Sequence, residues 1–185
     1  AEILFWSGWA APLMAMIMVP VLFGLGRLLW NRSAGLFAAG LIAIVSFQDF
    51  SISSYGWMEH HIAEVLFSSL FILAYWFALE YAKKNPPTFS KATTWVLPLA
   101  LSVSAGVCFF LALLASTTVI LVLAVVALYT AVQHVVDFFE KRSATHLLLV
   151  NLVFLLVATA LLLLFGIRQP GASLIQYSMG LVYVQ

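Results

Sequence analysis

Six stretches of apolar residues, separated by short polar breaks, divide the chain. Each is long enough, or nearly so, to cross a hydrocarbon core of about 30 Å as a helix of about 20 residues. They run over residues 11–30, 34–50, 62–82, 95–115, 117–135 and 146–167, and residues 173–185 can begin a seventh. Lys83-Lys84-Asn85 followed by Pro86-Pro87 marks a helix end and a polar turn, because proline ends helices and biases the residue before it away from the helical region. Arg168-Gln169-Pro170-Gly171 marks another. No internal repeat, heptad seam or low-complexity segment interrupts this order. The expected fold is all-α: a polytopic transmembrane bundle of about six spans, forming one unit over residues 1–185.

Composition agrees with that pattern. The 185 residues are 64% hydrophobic and 8% charged, whereas a soluble domain carries about 25% charged residues. The net charge of +1 supplies no basic patch for phosphate backbones, so nucleic acid is not an expected partner. A lone cysteine, Cys108, excludes an internal disulfide and any Cys-based metal cluster. No initiator Met, charged leader or cleavage signal opens the sequence, and it ends in the apolar Val182-Tyr183-Val184-Gln185. The chain is therefore expected to be an internal piece of a longer protein.

Charge asymmetry gives a direction. Arg27 and Arg32 flank the first connection, Lys83, Lys84 and Lys91 the third, and Lys141 and Arg142 the fifth. These alternate loops hold seven of the eight basic residues, and the positive-inside rule assigns them to the cytoplasm. Glu2, Asp49, Glu59, His60, His61 and the turn Ser116-Thr117-Thr118 are then expected outside, in periplasm, cell exterior or organelle lumen. Trp6, Trp9, Trp30, Trp57 and Trp95 fall near span ends, where amphipathic rings prefer the interface. Gly24, Gly26, Gly35, Ala38, Ala39 and Gly40 are expected to bring the first two helices close.

Against this background Glu59-His60-His61-Ile62-Ala63-Glu64 stands out. An unpaired charge at the centre of a membrane helix costs about 2.5–3.5 kcal/mol on insertion scales, so four ionisable groups at one helix mouth call for water, partners or a metal. On a helix, His60 and Glu64 at i, i+4 and His61 and Glu64 at i, i+3 share a face. Glu59 and His61 converge only if the chain is still an irregular turn, which Gly56 permits. Carboxylate plus imidazole suits Mn²⁺, Mg²⁺ or Zn²⁺, with further ligands from elsewhere. His61-x-x-Glu64 is the reverse of the Glu-x-x-His order of di-iron bundles and has no second copy, and His-Glu-x-x-His is absent. Asp49, just before the cluster, is a further candidate. His134 and His146 read as interfacial or hydrogen-bonded histidines.

The segment Gly56-Trp57-Met58-Glu59-His60-His61-Ile62-Ala63-Glu64 resembles the Gly-x-x-Asp-His-His-x-x-Glu segment of the oligosaccharyltransferase catalytic subunit family, in its archaeal and related bacterial forms. Pro12, Val19-Pro20-Val21, Gly24-x-Gly26-Arg27-Leu28 and Asn31-Arg32-Ser33-Ala34-Gly35 are similar to earlier spans of that family, so the resemblance covers about residues 10–80. It implies a type-C glycosyltransferase that moves a glycan from a polyprenyl-phosphate or pyrophosphate carrier to the Asn of Asn-x-Ser/Thr in an acceptor polypeptide. It implies a prokaryotic plasma membrane, a Mn²⁺ or Mg²⁺ cofactor, Glu59 and His61 as metal-holding catalytic residues, and His60 and Glu64 orienting them. Glu59 stands where the family has Asp, and Ile52 stands where many members have a basic residue. The family's first-loop acidic motif and soluble domain are not found in these 185 residues. No acidic residue follows Glu140 to serve as the later glutamate, so these residues alone are expected to be inactive. Two alternatives remain. One is a type-C enzyme with a lipid or polysaccharide acceptor. The other is a His/Glu metal or proton transporter, disfavoured because spans four and six carry no ionisable residue in their apolar interiors.

Overall fold

The computed structural model describes residues 2–44, 61–85 and 93–166. Within them the chain is helical apart from short turns, with no strand. Helix α1 spans Glu2–Leu29, α2 Arg32–Ile44, α3 His61–Lys84 and α4 Thr93–Ala115. A 3-10 turn over Thr117–Val119 leads into α5, Ile120–Phe139. Helix α6, Thr145–Leu161, continues as a π-helical turn over Leu162–Gly166.

Five of the helices are long and apolar enough to cross a membrane: residues 8–29 of α1, all of α3, 94–115, all of α5 and 145–165. With that many candidate spans the protein is a multi-pass membrane protein. The second expected span, 34–50, is described only as the 13-residue α2, and the possible seventh segment lies outside the described residues. The fifth expected span covered residues 117–135. Helix α5 instead runs on to Phe139. Asp137 is accommodated in its last turn with one partner inside the protein: Gln133 Nε2 donates to its Oδ1 at 2.9 Å.

Helices α3, α4 and α6 form the centre. Phe71 and Tyr75 of α3, Phe109 of α4 and Phe154 of α6 are all buried and meet as one aromatic cluster. Phe71 lies 4.9 Å from Phe109 and 5.4 Å from Phe154, ring centre to ring centre. Tyr75 meets Phe154 edge-on at 5.5 Å, a geometry that sets the positive ring edge against the negative face. Helix α1 packs on the other side of α3 through Met18 and Val21 against Leu66. Lipid tails are as apolar as leucine, so this packing stabilises through close van der Waals fit and not through escape from water. The outward faces accordingly remain apolar: Met16, Phe37, Leu121, Leu128 and Leu148 are all exposed.

Small residues set the close approaches. Asn31 caps α2 by accepting the Ala34 N–H at 2.9 Å, and the tight turn folds α2 back along α1. A Cβ on Gly26 would sit 2.8 Å from the Gly35 Cα, so backbone meets backbone there, as the small-residue pattern led us to expect. Gly24 faces Leu73 of α3 instead, and Gly40 has nothing within 4 Å of a would-be Cβ; these two are not part of the α1–α2 contact. The strongest constraint is Gly106 on α4, where a Cβ would meet the Phe154 carbonyl oxygen at 2.7 Å and Val157 Cβ at 2.8 Å.

Polar groups inside the bundle are satisfied locally. Ser102 Oγ donates to the Pro98 carbonyl at 2.7 Å and Ser104 Oγ to Ala100 at 2.9 Å, bonds that keep a hydroxyl content within its own helix. One cluster joins three helices. Tyr75 Oη donates to Asn151 Oδ1 at 3.3 Å and lies 3.2 Å from Thr130 Oγ1. Thr130 and Asn151 also donate to the Val126 and Leu147 carbonyls, each at 2.8 Å.

Two stability predictions follow from this packing. Gly106→Val forces α4 and α6 apart and is expected to destabilise by about 1–3 kcal/mol, read as a lowered unfolding midpoint in detergent, whereas Gly40→Ala leaves the midpoint unchanged or slightly raised. Tyr75→Phe removes a hydroxyl that helps bridge three helices; its partners keep their own carbonyl bonds, so the expected loss is only about 0.6 kcal/mol and no more than about 1.7.

Candidate functional site

The first turn of α3 carries the described part of the Glu/His cluster. The helix begins at His61, and the i, i+3 spacing places His61 Nδ1 3.4 Å from Glu64 Oε2. The two side chains differ in environment: His61 is about half exposed, while the Glu64 side chain retains 20% of its accessible surface. A carboxylate in the first turn also faces the positive end of the helix dipole.

The other oxygen of Glu64 is engaged from a distant part of the chain. Thr118 Oγ1, in the 3-10 turn between α4 and α5, donates to Glu64 Oε1. Ser116 Oγ lies 2.9 Å from Thr118 Oγ1 and accepts the Thr118 N–H at 3.3 Å. The turn is thus an organised hydroxyl shelf under the start of α3. Both carboxylate oxygens of Glu64 are held, one by a neighbouring imidazole and one by a hydroxyl 54 positions away.

This arrangement has the chemistry of a carboxylate orienting an imidazole. A hydrogen bond to one ring nitrogen fixes the tautomer and the ring plane, as beneath metal-bound histidines. The His61–Glu64 pair therefore fits the inner part of a divalent-cation site. Among the described residues no group of three or more His, Cys, Asp or Glu side chains comes together. Glu59, His60 and Asp49 lie outside the described residues, so of the expected site residues it is His61 and Glu64 that the structure brings together.

Thr118 is the partner that sequence reasoning missed. The Ser116-Thr117-Thr118 turn and the Glu/His cluster both fell on the expected outer side, which was the available signal, but a contact across 54 positions has no local signature. At the opposite end of the bundle, Asp137, His146, Arg142 and Lys83 gather around a second polar pocket. His146 Nδ1 lies 3.2 Å from the Ser143 carbonyl, in keeping with a hydrogen-bonded histidine at a helix start. Asp137 was not singled out at all; Gln133 four residues before it, on the same face, was its clue.

A helical, multi-pass membrane protein with an imidazole–carboxylate pair at the mouth of one span is the class these features define. The chain is similar to the dolichyl-monophosphooligosaccharide–protein glycotransferase AglB of Haloferax volcanii, 26% identical over 171 residues. The match covers 85% of this chain and 16% of that protein, so the chain spans about one sixth of the length of the curated relative it matches. No protein-family model matches the chain, and no solved structure matches it.

Thr118→Val, close in shape but unable to donate, should release one Glu64 oxygen. The expected cost is about 1 kcal/mol, concentrated locally: amide hydrogen exchange over the first turn of α3 should accelerate while the aromatic centre stays protected. Thr118→Ser should retain most of the protection.

Proposed function

We propose that the chain is part of a membrane glycosyltransferase that moves an oligosaccharide from a polyprenyl-phosphate or pyrophosphate carrier to the Asn of Asn-x-Ser/Thr segments of polypeptides. The observation that carries this reading is the likeness over 85% of the chain to a lipid-linked oligosaccharide–protein glycotransferase, together with Glu59-His60-His61-x-x-Glu64 at the mouth of α3. The proposed setting is a prokaryotic plasma membrane, with the cluster on the extracytoplasmic side, opposite the Lys/Arg-rich ends of the helices.

In this reading His61 and Glu59 would hold a Mn²⁺ or Mg²⁺ ion, with further ligands from the rest of the protein. When bound, such an ion neutralises charge on a departing phosphate. The chain's own residues do the rest. Glu64 keeps the His61 ring in one orientation through Nδ1, and Thr118 keeps Glu64 in place. Glu64 thus acts as an orienting residue, with one oxygen on the His61 ring and the other on Thr118. The Thr118–Glu64 bond also ties the start of α3 to the α4–α5 turn, so the pair sits on a supported element and not on a free helix end.

The test is transfer by the full-length protein from a lipid-linked glycan to an Asn-x-Thr peptide, titrated with Mn²⁺. His61→Ala should abolish metal-dependent transfer. Glu64→Gln should raise the Mn²⁺ needed for half-maximal rate by about 10–100-fold, with turnover restored at saturating metal. Turnover unchanged in His61→Ala would overturn the assignment. Transfer to a lipid or polysaccharide, with none to the peptide, would move the protein to a different acceptor class.

A further inference from the structure

At the Lys/Arg-rich end of the bundle, a cavity of about 330 Å³ opens between the ends of α3, α5 and α6, lined by Lys83, Asp137, Arg142, Ser143, Thr145 and His146. Asp137 is its unusual member. The residue is 1% exposed; Gln133 holds its Oδ1, but Oδ2 is buried with no hydrogen-bond partner. The nearest cationic candidate is His146 Nε2 at 3.8 Å, beyond hydrogen-bonding distance. A carboxylate oxygen buried this way needs a donor, because an unsatisfied buried charge is among the most destabilising features a protein can carry. One water needs only about 10–15 Å³, so the space exceeds a single bridging water many times over.

The turn that shapes the cavity is fixed by the backbone. Arg142 N–H donates to the Asp137 carbonyl at 2.8 Å and Lys141 N–H to Phe138 at 3.2 Å, with Lys141 at φ 54°. This is the double closure of a helix C-terminus that ends in a left-handed residue. It holds Asp137 in the last turn of α5, facing the start of α6. Lys83 and Arg142 bring positive charge to the rim, and Arg142 is partly compensated by Glu140 at 2.9 Å.

A second cavity adjoins the first. A groove of about 720 Å³ runs between α5 and α6, walled by residues such as Leu123, Ala127, Ala131, Leu148 and Leu155, and Thr145 lines both spaces. The groove is predominantly apolar, with Thr130, His134, Thr145 and Asn151 as its polar wall residues; it lies along two membrane spans and ends at a polar pocket containing one buried carboxylate and two cationic side chains at the bundle's end. An apolar tail joined to an anion alone would suit the cations but leave Asp137 Oδ2 unsatisfied. An ammonium alone would suit Asp137 but not Lys83 and Arg142. A molecule with a primary ammonium, a phosphodiester and an acyl chain matches all three.

We propose that this is a binding site for a phospholipid with a primary-amine headgroup, phosphatidylethanolamine in chemical class. The ammonium donates to Asp137 Oδ2, the phosphodiester faces Lys83 and Arg142, and an acyl chain lies in the α5–α6 groove. The site is at the far end of the bundle from His61 and Glu64 and does not depend on the proposed transfer reaction.

Native mass spectrometry of the full-length protein in detergent tests it, with dioleoyl phosphatidylethanolamine, phosphatidylcholine and phosphatidylglycerol supplied at equal concentration. The wild type should retain phosphatidylethanolamine about tenfold over phosphatidylcholine, whose methylated ammonium cannot donate the hydrogen bond to a charged acceptor. Asp137→Asn should bring that ratio close to one. The exposed Lys83→Gln should weaken retention of both lipids and leave the ratio, and Ala131→Phe, which fills the groove, should reduce retention of all three. Water-soluble glycerophosphoethanolamine should fail to displace the lipid at equal concentration. Equal retention of ethanolamine and choline lipids by the wild type would overturn the proposal, as would a preference surviving in Asp137→Asn. Phosphatidylglycerol binding tightest would show an anion site in which the carboxylate plays no part, and displacement by the soluble headgroup would show that the groove holds no acyl chain. Either result would also overturn it.

Discussion

The constraint on which the rest depends is that a polar group within a membrane span must find its partner inside the protein. Several polar residues in these helices answer it in one of three ways. Ser102 and Ser104 turn back onto their own helix. Tyr75, Thr130 and Asn151 share one cluster and thereby link α3, α5 and α6. Glu64 reaches across to Thr118. Helix α5 contributes few large buried side chains, Val126 being its buried apolar residue, so polar links of the second kind contribute much of what attaches it to the centre. The same rule makes Asp137 Oδ2 conspicuous, since it alone among buried side-chain atoms of the described residues has no partner.

Packing follows from a second fact, that helices in lipid gain nothing by hiding apolar surface from one another. What they gain is fit. The aromatic rings of Phe71, Tyr75, Phe109 and Phe154 fill the space where three helices meet; Gly106 lets α4 approach α6 closely there, and the Gly26–Gly35 pair does the same for α1 and α2. A large residue at Gly106 would force α4 and α6 apart, whereas the open space around Gly40 leaves that position tolerant. The glycines therefore carry different weights, although in the sequence they look alike.

How much was legible in the sequence follows from the range of each interaction. The helical fold and its long spans were legible because hydropathy over about 20 residues is a local property, and the start of α3 because four ionisable residues interrupt an apolar pattern there. The His61–Glu64 pair was legible too, since i, i+3 geometry is set by the helix alone. Three features were not. Thr118 meets Glu64 only because α3 and α4 lie side by side. The Tyr75–Thr130–Asn151 cluster requires three helices in register. The end of α5 at Phe139 and not at 135 depends on Gln133 and on the turn at Lys141, which together let a carboxylate remain inside a helix.

Helix α3 brings these points together. Its 24 residues span about 36 Å at 1.5 Å per residue, slightly more than the hydrocarbon core, so both ends reach the interface. Its middle is fixed by Phe71 and Tyr75, and neither end can shift along the helix axis without breaking aromatic contacts. At one end the fixed helix presents His61, with Glu64 clamped from two directions; at the other it presents Lys83 beside Asp137 and His146. The two ends differ in a way that bears on their chemistry. Glu64 is a satisfied carboxylate, suited to orienting a neighbour, because each of its oxygens already has a protein partner. Asp137 has one oxygen engaged and one not, which suits it to receiving a donor. A carboxylate's partners, more than its position near a helix end, determine whether it positions another residue or binds something itself.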